Sequence, residues 1–243
     1  MRQDPTIHYL DNAATTMVDP EVAQAVSAAL TGCWANPSSL YEPAVLAHEA
    51  LTAARAKVAR SIGCAPRELI FTACGSEGNN IALQGAALPR QSWGDKIVVS
   101  GFEHPSVQLP LRALAARGFT VVEIPPERDG RLDPAKMLAA VDAKTVLVSC
   151  MAVNNETGAV QNVAGLAASV KARNSRTAVH VDAVQAWLRM PLELKNIDSL
   201  SVSGHKVHAP KGIGALYLRT GHNLQPPFLG GGQENGVRPG TEN

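Results

Sequence analysis

A lysine follows a strand-like run late in the chain. The apolar run 197–202 leads into a Ser-Gly-His-Lys tetrapeptide that ends at Lys206. Desolvation at the end of a buried strand lowers the pKa of an amine, because burial disfavours the charged form. A neutral lysine is a nucleophile that can form a Schiff base with a carbonyl group. The alternative, which the tetrapeptide alone favours, is a solvated surface lysine.

A short polar segment, residues 72–80, lies between a strand-like run and a helix-like run and contains Gly75 and Ser76. The first amides of a helix have no partner within the helix, so a small residue and a hydroxyl at that position make an anion site. Gly75 and Ser76 could therefore hold a phosphate. The segment matches neither a P-loop nor a G-x-G-x-x-G motif, and an ordinary helix N-cap is the alternative.

Further polar groups follow other strand-like runs. Asp182 could pair with a protonated ring nitrogen, as pyridoxal phosphate enzymes require, or it could cap the next helix; Gln185 lies three residues on. His104 could stack on a flat cofactor or move protons, or it could be a loop histidine with ordinary partners. Residues 153–158 suit ligand positioning or a simple turn. Together with Lys206 and the anion site, these groups are the set that pyridoxal phosphate chemistry requires.

The alternation of strand-like and helix-like segments predicts how these groups are positioned. Continuous apolar strands that alternate with helices indicate an α/β fold, with a largely parallel mixed sheet sandwiched by helices. Ligands of such sheets bind beyond the carboxyl ends of the strands. Strands are predicted at 68–72, 96–100, 119–124, 145–149, 177–182, 197–202 and 215–218, and helices at 43–62, 76–88, 105–117 and 163–173 and from Pro20 and Pro134.

Composition limits the classes of function. The chain has 243 residues, 45% hydrophobic and 18% charged, which allows one large domain. Its net charge is +1 without a basic run, which argues against nucleic acid and anionic membranes as partners. No apolar run approaches the roughly 20 residues of a membrane span, and residues 1–5 lack a signal core, so we expect a cytoplasmic protein. The four cysteines have no metal-ligand spacing, and we expect most to be reduced and buried.

The chain resembles the cysteine desulfurases, of the class V aminotransferase group within the fold-type I pyridoxal phosphate enzymes. The matching segments cover essentially the whole chain in the order of the family, and their joint specificity is high. They are residues 9–16, 36–39, 71–80, 103–104, 153–158, 180–185, 203–214 and 238–241.

The resemblance implies the large domain of a pyridoxal phosphate-dependent transferase. It implies that Lys206 anchors the cofactor, frees its aldehyde for the substrate and then moves protons. It also implies that His104 stacks on the cofactor ring, so Lys206 and His104 are the expected catalytic residues. The expected cofactor-binding residues are Gly75, Ser76, Ser203 and His205 at the phosphate, Asp182 at the ring nitrogen, Asn155 and Gln185 at the ring substituents, His104, Lys206, and Thr241 toward a partner subunit's cofactor.

The resemblance further implies a reaction and its partners. The sulfur of L-cysteine passes to an enzyme cysteine as a persulfide, and L-alanine is released. Family members are dimers, and a sulfur-acceptor or scaffold protein in iron–sulfur or other sulfur-cofactor assembly is expected. Alternatives are a selenocysteine lyase or an aminotransferase of the same class, or a non-catalytic fragment that binds a cofactor or a partner chain.

Two departures from the family pattern qualify these expectations. Cys74 stands where many relatives carry glycine, and we do not expect it to be the sulfur acceptor. Family polypeptides continue beyond Thr241 into a small C-terminal domain with the persulfide cysteine and the arginine that binds the substrate carboxylate. We therefore expect an N-terminal segment at 1–15, a cofactor-binding large domain at 16–243, no small domain, and poor turnover by this chain alone.

Overall fold

The computed structural model describes residues 6–243. Within that range, six α-helices flank a sheet of seven strands. Residues 1–5 lie outside the described residues. They begin the predicted 1–15 segment, and they are the residues in which the sequence shows no apolar core of a signal peptide. The strands are β1 (Leu69–Thr72), β2 (Lys96–Ser100), β3 (Thr120–Ile124), β4 (Thr145–Met151), β5 (Ala178–Asp182), β6 (Ser199–Ser203) and β7 (Gly214–Leu218). The helices are α1 (Pro20–Gly32), α2 (Glu42–Ile62), α3 (Gly75–Ala87), α4 (Pro105–Ala115), α5 (Pro134–Ala139) and α6 (Val163–Arg173).

The sheet is largely parallel and mixed, which confirms the predicted fold class. Its strand order is β1-β7-β6-β5-β4-β2-β3. β7 runs antiparallel to both of its neighbours, and the other adjacent pairs are parallel. The carboxyl ends of β1, β2, β4, β5 and β6 therefore lie at one edge of the sheet, where β7 begins.

Local signals explain where the helices begin and end. α1 begins after Asp19, whose carboxylate accepts a hydrogen bond from the backbone amide of Glu21 at 2.8 Å, with a proline at the first helical position. α2 ends at Gly63, which adopts a left-handed conformation with φ of 91°. The predicted ends of the elements differ from the observed ends by no more than two residues, and α4 shows this by ending at Ala115 rather than at residue 117.

The core lies on both faces of the sheet. Successive residues of a strand point to opposite faces, so Val98 packs in one apolar cluster and Ile97 in another. The first cluster takes side chains from α2, α5 and α6, and the second takes side chains from α3 and α4. Every residue of β4, β5 and β6 is buried, as expected for central strands that are covered on both sides.

The glycine-rich segment after residue 221 is tied to the edge of the sheet. The buried carboxylate of Glu234 accepts two hydrogen bonds from the guanidinium of Arg55, each at 2.7 Å. It also accepts a hydrogen bond from the backbone amide of Phe71 in β1 at 2.9 Å. This ion pair therefore covers part of the unpaired edge of β1.

The cysteines correct one expectation. All four are free, and all lie within the described residues, but only Cys150 is buried. Cys33 and Cys74 flank the ends of α1 and α3, where backbone turns leave side chains partly open, whereas Cys150 belongs to the central strand β4. The prediction that most cysteines are buried is wrong because these residues lie at element ends.

Across residues 6–243, none of the helices combines the length and apolar character that a membrane crossing needs.

Candidate active site

A cavity of about 500 Å³ opens at the carboxyl edge of the sheet. It is lined by residues that follow five different strands and by part of the N-terminal segment. Thr241, for which a role toward a partner subunit is predicted, is exposed and does not line this cavity. The structure brings the other nine predicted site residues to the cavity wall, namely Gly75, Ser76, His104, Asn155, Asp182, Gln185, Ser203, His205 and Lys206.

The lysine lies on a 3₁₀ turn, Gly204–Lys206, directly after β6. Its side chain is half-buried, and its Nζ donates hydrogen bonds to the carbonyl of Ala14 at 2.8 Å and to that of Ala13. Burial lowers the pKa of Lys206, and the nearby charge of Arg189 lowers it further. The amine is therefore closer to its neutral, nucleophilic form than a surface lysine is.

The N-terminal segment 11–16 packs over this lysine. Thr16 donates to the carbonyl of His205 through its amide at 2.8 Å and through its hydroxyl at 2.9 Å. The Gln185 amide donates to the carbonyl of Ala13 at 2.8 Å. The resemblance included this segment, but sequence reasoning gave it no role, since an irregular stretch carries no periodicity that indicates where it docks.

The N-terminus of α3 forms one wall of the cavity. The residue before the helix is Cys74, and no side chain bonds to the helix at its cap, so the ordinary capping alternative does not apply. The Ser203 hydroxyl is buried and finds no hydrogen-bond partner among the described residues. A Cβ atom on Gly75 would lie only 2.5 Å from Cγ2 of Val184, so a side chain there would displace Val184, which itself lines the cavity. Uncapped amides and a free hydroxyl together suit an anion.

Asp182 ends β5 and is buried. One carboxylate oxygen accepts from the backbone amide of Val184 at 2.9 Å, and the other accepts from Nδ2 of Asn79 at 2.8 Å. Burial raises the pKa of Asp182, although these two hydrogen bonds oppose the rise. The residues after β5 form turns rather than a helix, so Asp182 caps a turn with one oxygen only.

His104 is the N-cap of α4. Its Nδ1 accepts from the backbone amide of Ser106 at 3.1 Å and lies 2.9 Å from the Ser106 hydroxyl. Ser106 also lines the cavity, and sequence reasoning did not assign it a role. The signal that could have found it is its position two residues after the capping histidine, where it completes the first turn of the helix.

Residues 153–158 combine both predicted roles. The side-chain oxygen of Asn154 accepts from the backbone amides of Glu156 at 3.0 Å and Thr157 at 2.8 Å, which builds a turn. Its neighbour Asn155 lines the cavity. The turn thus presents the second amide to the site.

Glu103 is a buried carboxyl beside the site; the resemblance includes it in segment 103–104, but sequence reasoning gave it no role. One of its oxygens accepts from the Ser100 hydroxyl and from the backbone amide of Met151, and the other has no partner among the described residues. Burial raises its pKa to about 8, with a further contribution from Asp182. Near neutral pH the raised pKa of Glu103 therefore favours its neutral, protonated form in the folded chain.

Comparison with known proteins gives a consistent result. The aminotransferase class-V family model matches residues 8–240. The chain is 43% identical over 240 residues to a cysteine desulfurase of Trichormus azollae, and the match covers 98% of this chain and 59% of that protein. It is 41% identical to the cysteine desulfurase IscS of Pectobacterium atrosepticum, with 96% of this chain and 59% of that protein covered.

Solved structures agree. A NifS-like protein superposes with a TM-score of 0.94 at 38% identity, covering 97% of this chain and 65% of the other. DndA from Streptomyces lividans superposes with a TM-score of 0.83 at 41% identity, covering 96% and 67%. The chain thus spans 59% of the length of these curated relatives.

Proposed function

The chain belongs to the aminotransferase class-V family, and from that premise we propose that it binds pyridoxal phosphate as part of a cysteine desulfurase. The proposed reaction moves sulfur from L-cysteine to an acceptor and releases L-alanine. The observation that carries the proposal is the half-buried Lys206, whose lowered pKa favours a nucleophilic amine, in one cavity with Asp182 and the uncapped N-terminus of α3. The similarity to cysteine desulfurases supports the same reading.

The residues of the cavity fit this cofactor. A phosphate would accept hydrogen bonds from the first amides of α3, at Gly75 and Ser76, and from the unpartnered hydroxyl of Ser203, with His205 beside it. Asp182 is a buried carboxyl without a cation bonded to it among the described residues, and a protonated ring nitrogen would supply one.

The remaining assignments concern side chains that would surround the cofactor ring and one residue outside the cavity. We assign the ring face to His104 and the ring substituents to Asn155 and Gln185, and we assign Thr241 to the phosphate in a partner subunit. When bound, the cofactor supplies an electron sink for bond breaking at the α carbon of an amino acid.

The protein groups have separate tasks in this proposal. Lys206 is the residue that would hold the cofactor covalently through Nζ and would then move protons at the same atom. In the described state the carbonyls of Ala13 and Ala14 accept from this nitrogen, and a neutral amine that donates two hydrogens in this way keeps its lone pair free. Asp182 holds positive charge at the ring nitrogen, because a buried carboxylate is stable only when it is paired or hydrogen-bonded.

The partners belong to the same proposal. We propose a homodimer, with L-cysteine as substrate and a sulfur-acceptor or scaffold protein for iron–sulfur or other sulfur-cofactor assembly. The division into a 1–15 segment and a 16–243 large domain, and the cytoplasmic location, stay predictions.

The test is chemical trapping of the cofactor. The purified chain is incubated with pyridoxal phosphate, reduced with borohydride and digested, and the modified peptide is identified by mass spectrometry. We expect the visible absorbance and the modification at Lys206, with both lost in Lys206→Ala. The matched control is Lys211→Ala, which removes an exposed lysine of the same loop and should leave both signals unchanged. If Lys206→Ala kept the visible absorbance and still gave a covalently modified peptide after borohydride reduction, the assignment would be wrong.

A further inference from the structure

Asn79 is a fully buried polar residue in the second turn of α3. Its side chain contacts three polar groups from two other elements, β5 and α4. Nδ2 lies 2.8 Å from an oxygen of Asp182 and 2.9 Å from the Ser106 hydroxyl, and Oδ1 lies 3.0 Å from Nε2 of His180. One amide therefore joins the residue proposed for the ring nitrogen to the residue that hydrogen-bonds His104.

His180 fixes the orientation of this amide. It lies two residues before Asp182 in β5, on the same face of the strand, and it is fully buried. Burial lowers the pKa of His180 to about 3, so the imidazole is neutral and carries one N–H. Its Nδ1 lies 2.9 Å from the hydroxyl of Ser199, which can donate to it.

One assignment of hydrogens satisfies all of these groups. Ser199 donates to Nδ1 of His180, and the Nε2–H of His180 donates to Oδ1 of Asn79. The two amide hydrogens of Asn79 then point to Asp182 and Ser106. The reversed amide would set its oxygen against a carboxylate oxygen of Asp182, where both atoms accept and neither donates.

The second branch reaches His104. Ser106 accepts from Asn79 through its hydroxyl oxygen, which leaves the hydroxyl hydrogen for Nδ1 of His104 at 2.9 Å. The backbone amide of Ser106 donates to the same Nδ1. The backbone donor favours the Nε2–H tautomer of His104 by itself, and the Ser106 hydroxyl, whose oxygen accepts from Asn79, is a second donor that strengthens this preference.

We infer that Asn79 is a positioning residue, oriented by His180, that holds Asp182 as a hydrogen-bond acceptor and, by directing the Ser106 hydroxyl to Nδ1, strengthens the Nε2–H tautomer of His104. The consequence for the cofactor rests on the proposed function: Asp182 and His104 are set in the states in which they meet the ring. A purely structural role would instead predict that loss of Asn79 lowers stability without changing either neighbour.

The first experiment needs no cofactor. Long-range proton–nitrogen NMR spectra of the imidazole rings report the tautomer of His104 directly. We expect the Nε2–H tautomer in the unchanged chain and a measurably smaller Nε2–H fraction in Asn79→Leu, where the backbone amide of Ser106 is the remaining donor to Nδ1. Ser106→Ala should produce the same change at His104, while Asn174→Leu, which alters a distant asparagine bonded to the carbonyl of Asp142, should not.

The second experiment reads the Asp182 branch. Pyridoxal phosphate labelled with nitrogen-15 in the ring shows by its chemical shift whether the ring nitrogen is protonated. In Asn79→Leu we expect partial loss of the protonated signal and a rise in the dissociation constant of about tenfold, the effect of losing one charge-assisted hydrogen bond. Ser106→Ala should leave the ring-nitrogen signal unchanged, because it cuts only the His104 branch.

A pair of variants at His180 covers the case in which Asn79→Leu does not fold. His180→Gln keeps a donor toward Asn79 and should retain both signals, whereas His180→Leu should reproduce the two changes. An unchanged His104 tautomer in every folded variant that lacks the Asn79 or His180 contact overturns the inference, whether or not the chain binds cofactor. Failure of the unchanged chain to bind pyridoxal phosphate would instead count against the proposed function.

Discussion

Replacing Asp198 with asparagine should destabilise the fold far more than the same change at a surface ion pair. The Asp198 carboxylate is 1% exposed and accepts from Nζ of Lys171 at 2.6 Å and from Nη2 of Arg219 at 2.5 Å. It also accepts from the backbone amide of Val179 at 2.8 Å. Burial alone raises the pKa of Asp198, but these donors outweigh it and the pKa is lowered.

The size of the stability loss in Asp198→Asn depends on the two cations that lose their carboxylate partner, Lys171 and Arg219. Removing one partner of a buried ion pair costs about 3–5 kcal/mol, because the other charge stays buried without compensation. Lys171 is 16% exposed and cannot move freely into water, whereas Arg219 is 46% exposed and can. We therefore expect a loss near the lower end, about 3 kcal/mol, which for a chain of this size lowers the melting temperature by roughly 6–12 °C.

The assay is urea unfolding of the chain and its variants, followed by circular dichroism. The matched control is Asp142→Asn, which breaks an ion pair with Lys96 whose carboxylate is 51% exposed and which should cost at most about 1 kcal/mol. Because the folded-state pKa of Asp198 is lowered, its stabilisation is present at neutral pH and lost as the pH falls below its ordinary value of 3.8. Equal losses in the two variants would refute the reasoning.

Two further predictions concern the cavity wall. Gly75→Ala should weaken pyridoxal phosphate binding about tenfold, since the new methyl group displaces Val184, and adding Val184→Ala should restore binding in a fluorescence titration. From about pH 4.5 to about pH 8, Glu103 alone should lower the stability by up to roughly 1.4 kcal/mol per pH unit, because folded Glu103 keeps a proton that the unfolded chain releases, whereas buried His180 and His222 oppose this fall below about pH 6.5. Glu103→Gln should remove this contribution, so between pH 5.5 and pH 8 the variant should lose less stability than the unchanged chain in unfolding curves, and an equal change in both chains would contradict the assignment.

The sequence predicted the limits of helices well where a capping residue, a proline or a glycine marks them. Asp19 with its following proline begins α1, and Gly63 ends α2, because these residue types favour those backbone conformations. It also predicted which polar residues meet at the cavity, since parallel strands bring their carboxyl ends to one edge of the sheet. Residues as distant as His104 and Lys206 were thus expected to lie in one place.

The remaining features depend on contacts that no local pattern encodes. Asn79 and Glu103 lie within the matching segments 71–80 and 103–104, but nothing in their spacing shows that they are buried or which groups they bond. The packing of residues 11–16 over Lys206 joins positions 193 apart in the chain. Partners at such separations are set by the completed sheet, which the sequence alone does not display.

The reversed strand β7 also constrains the order of events during synthesis. Within the described residues, β1 is made early but pairs with β7 alone, which leaves the ribosome much later. Until then β1 presents an unpaired edge, a state in which nascent chains associate incorrectly or recruit chaperones. Since β7 follows the lysine loop directly, the strand that pairs with β1 emerges just after Lys206, so β1 gains its partner at nearly the same stage of synthesis at which the lysine becomes available to the site.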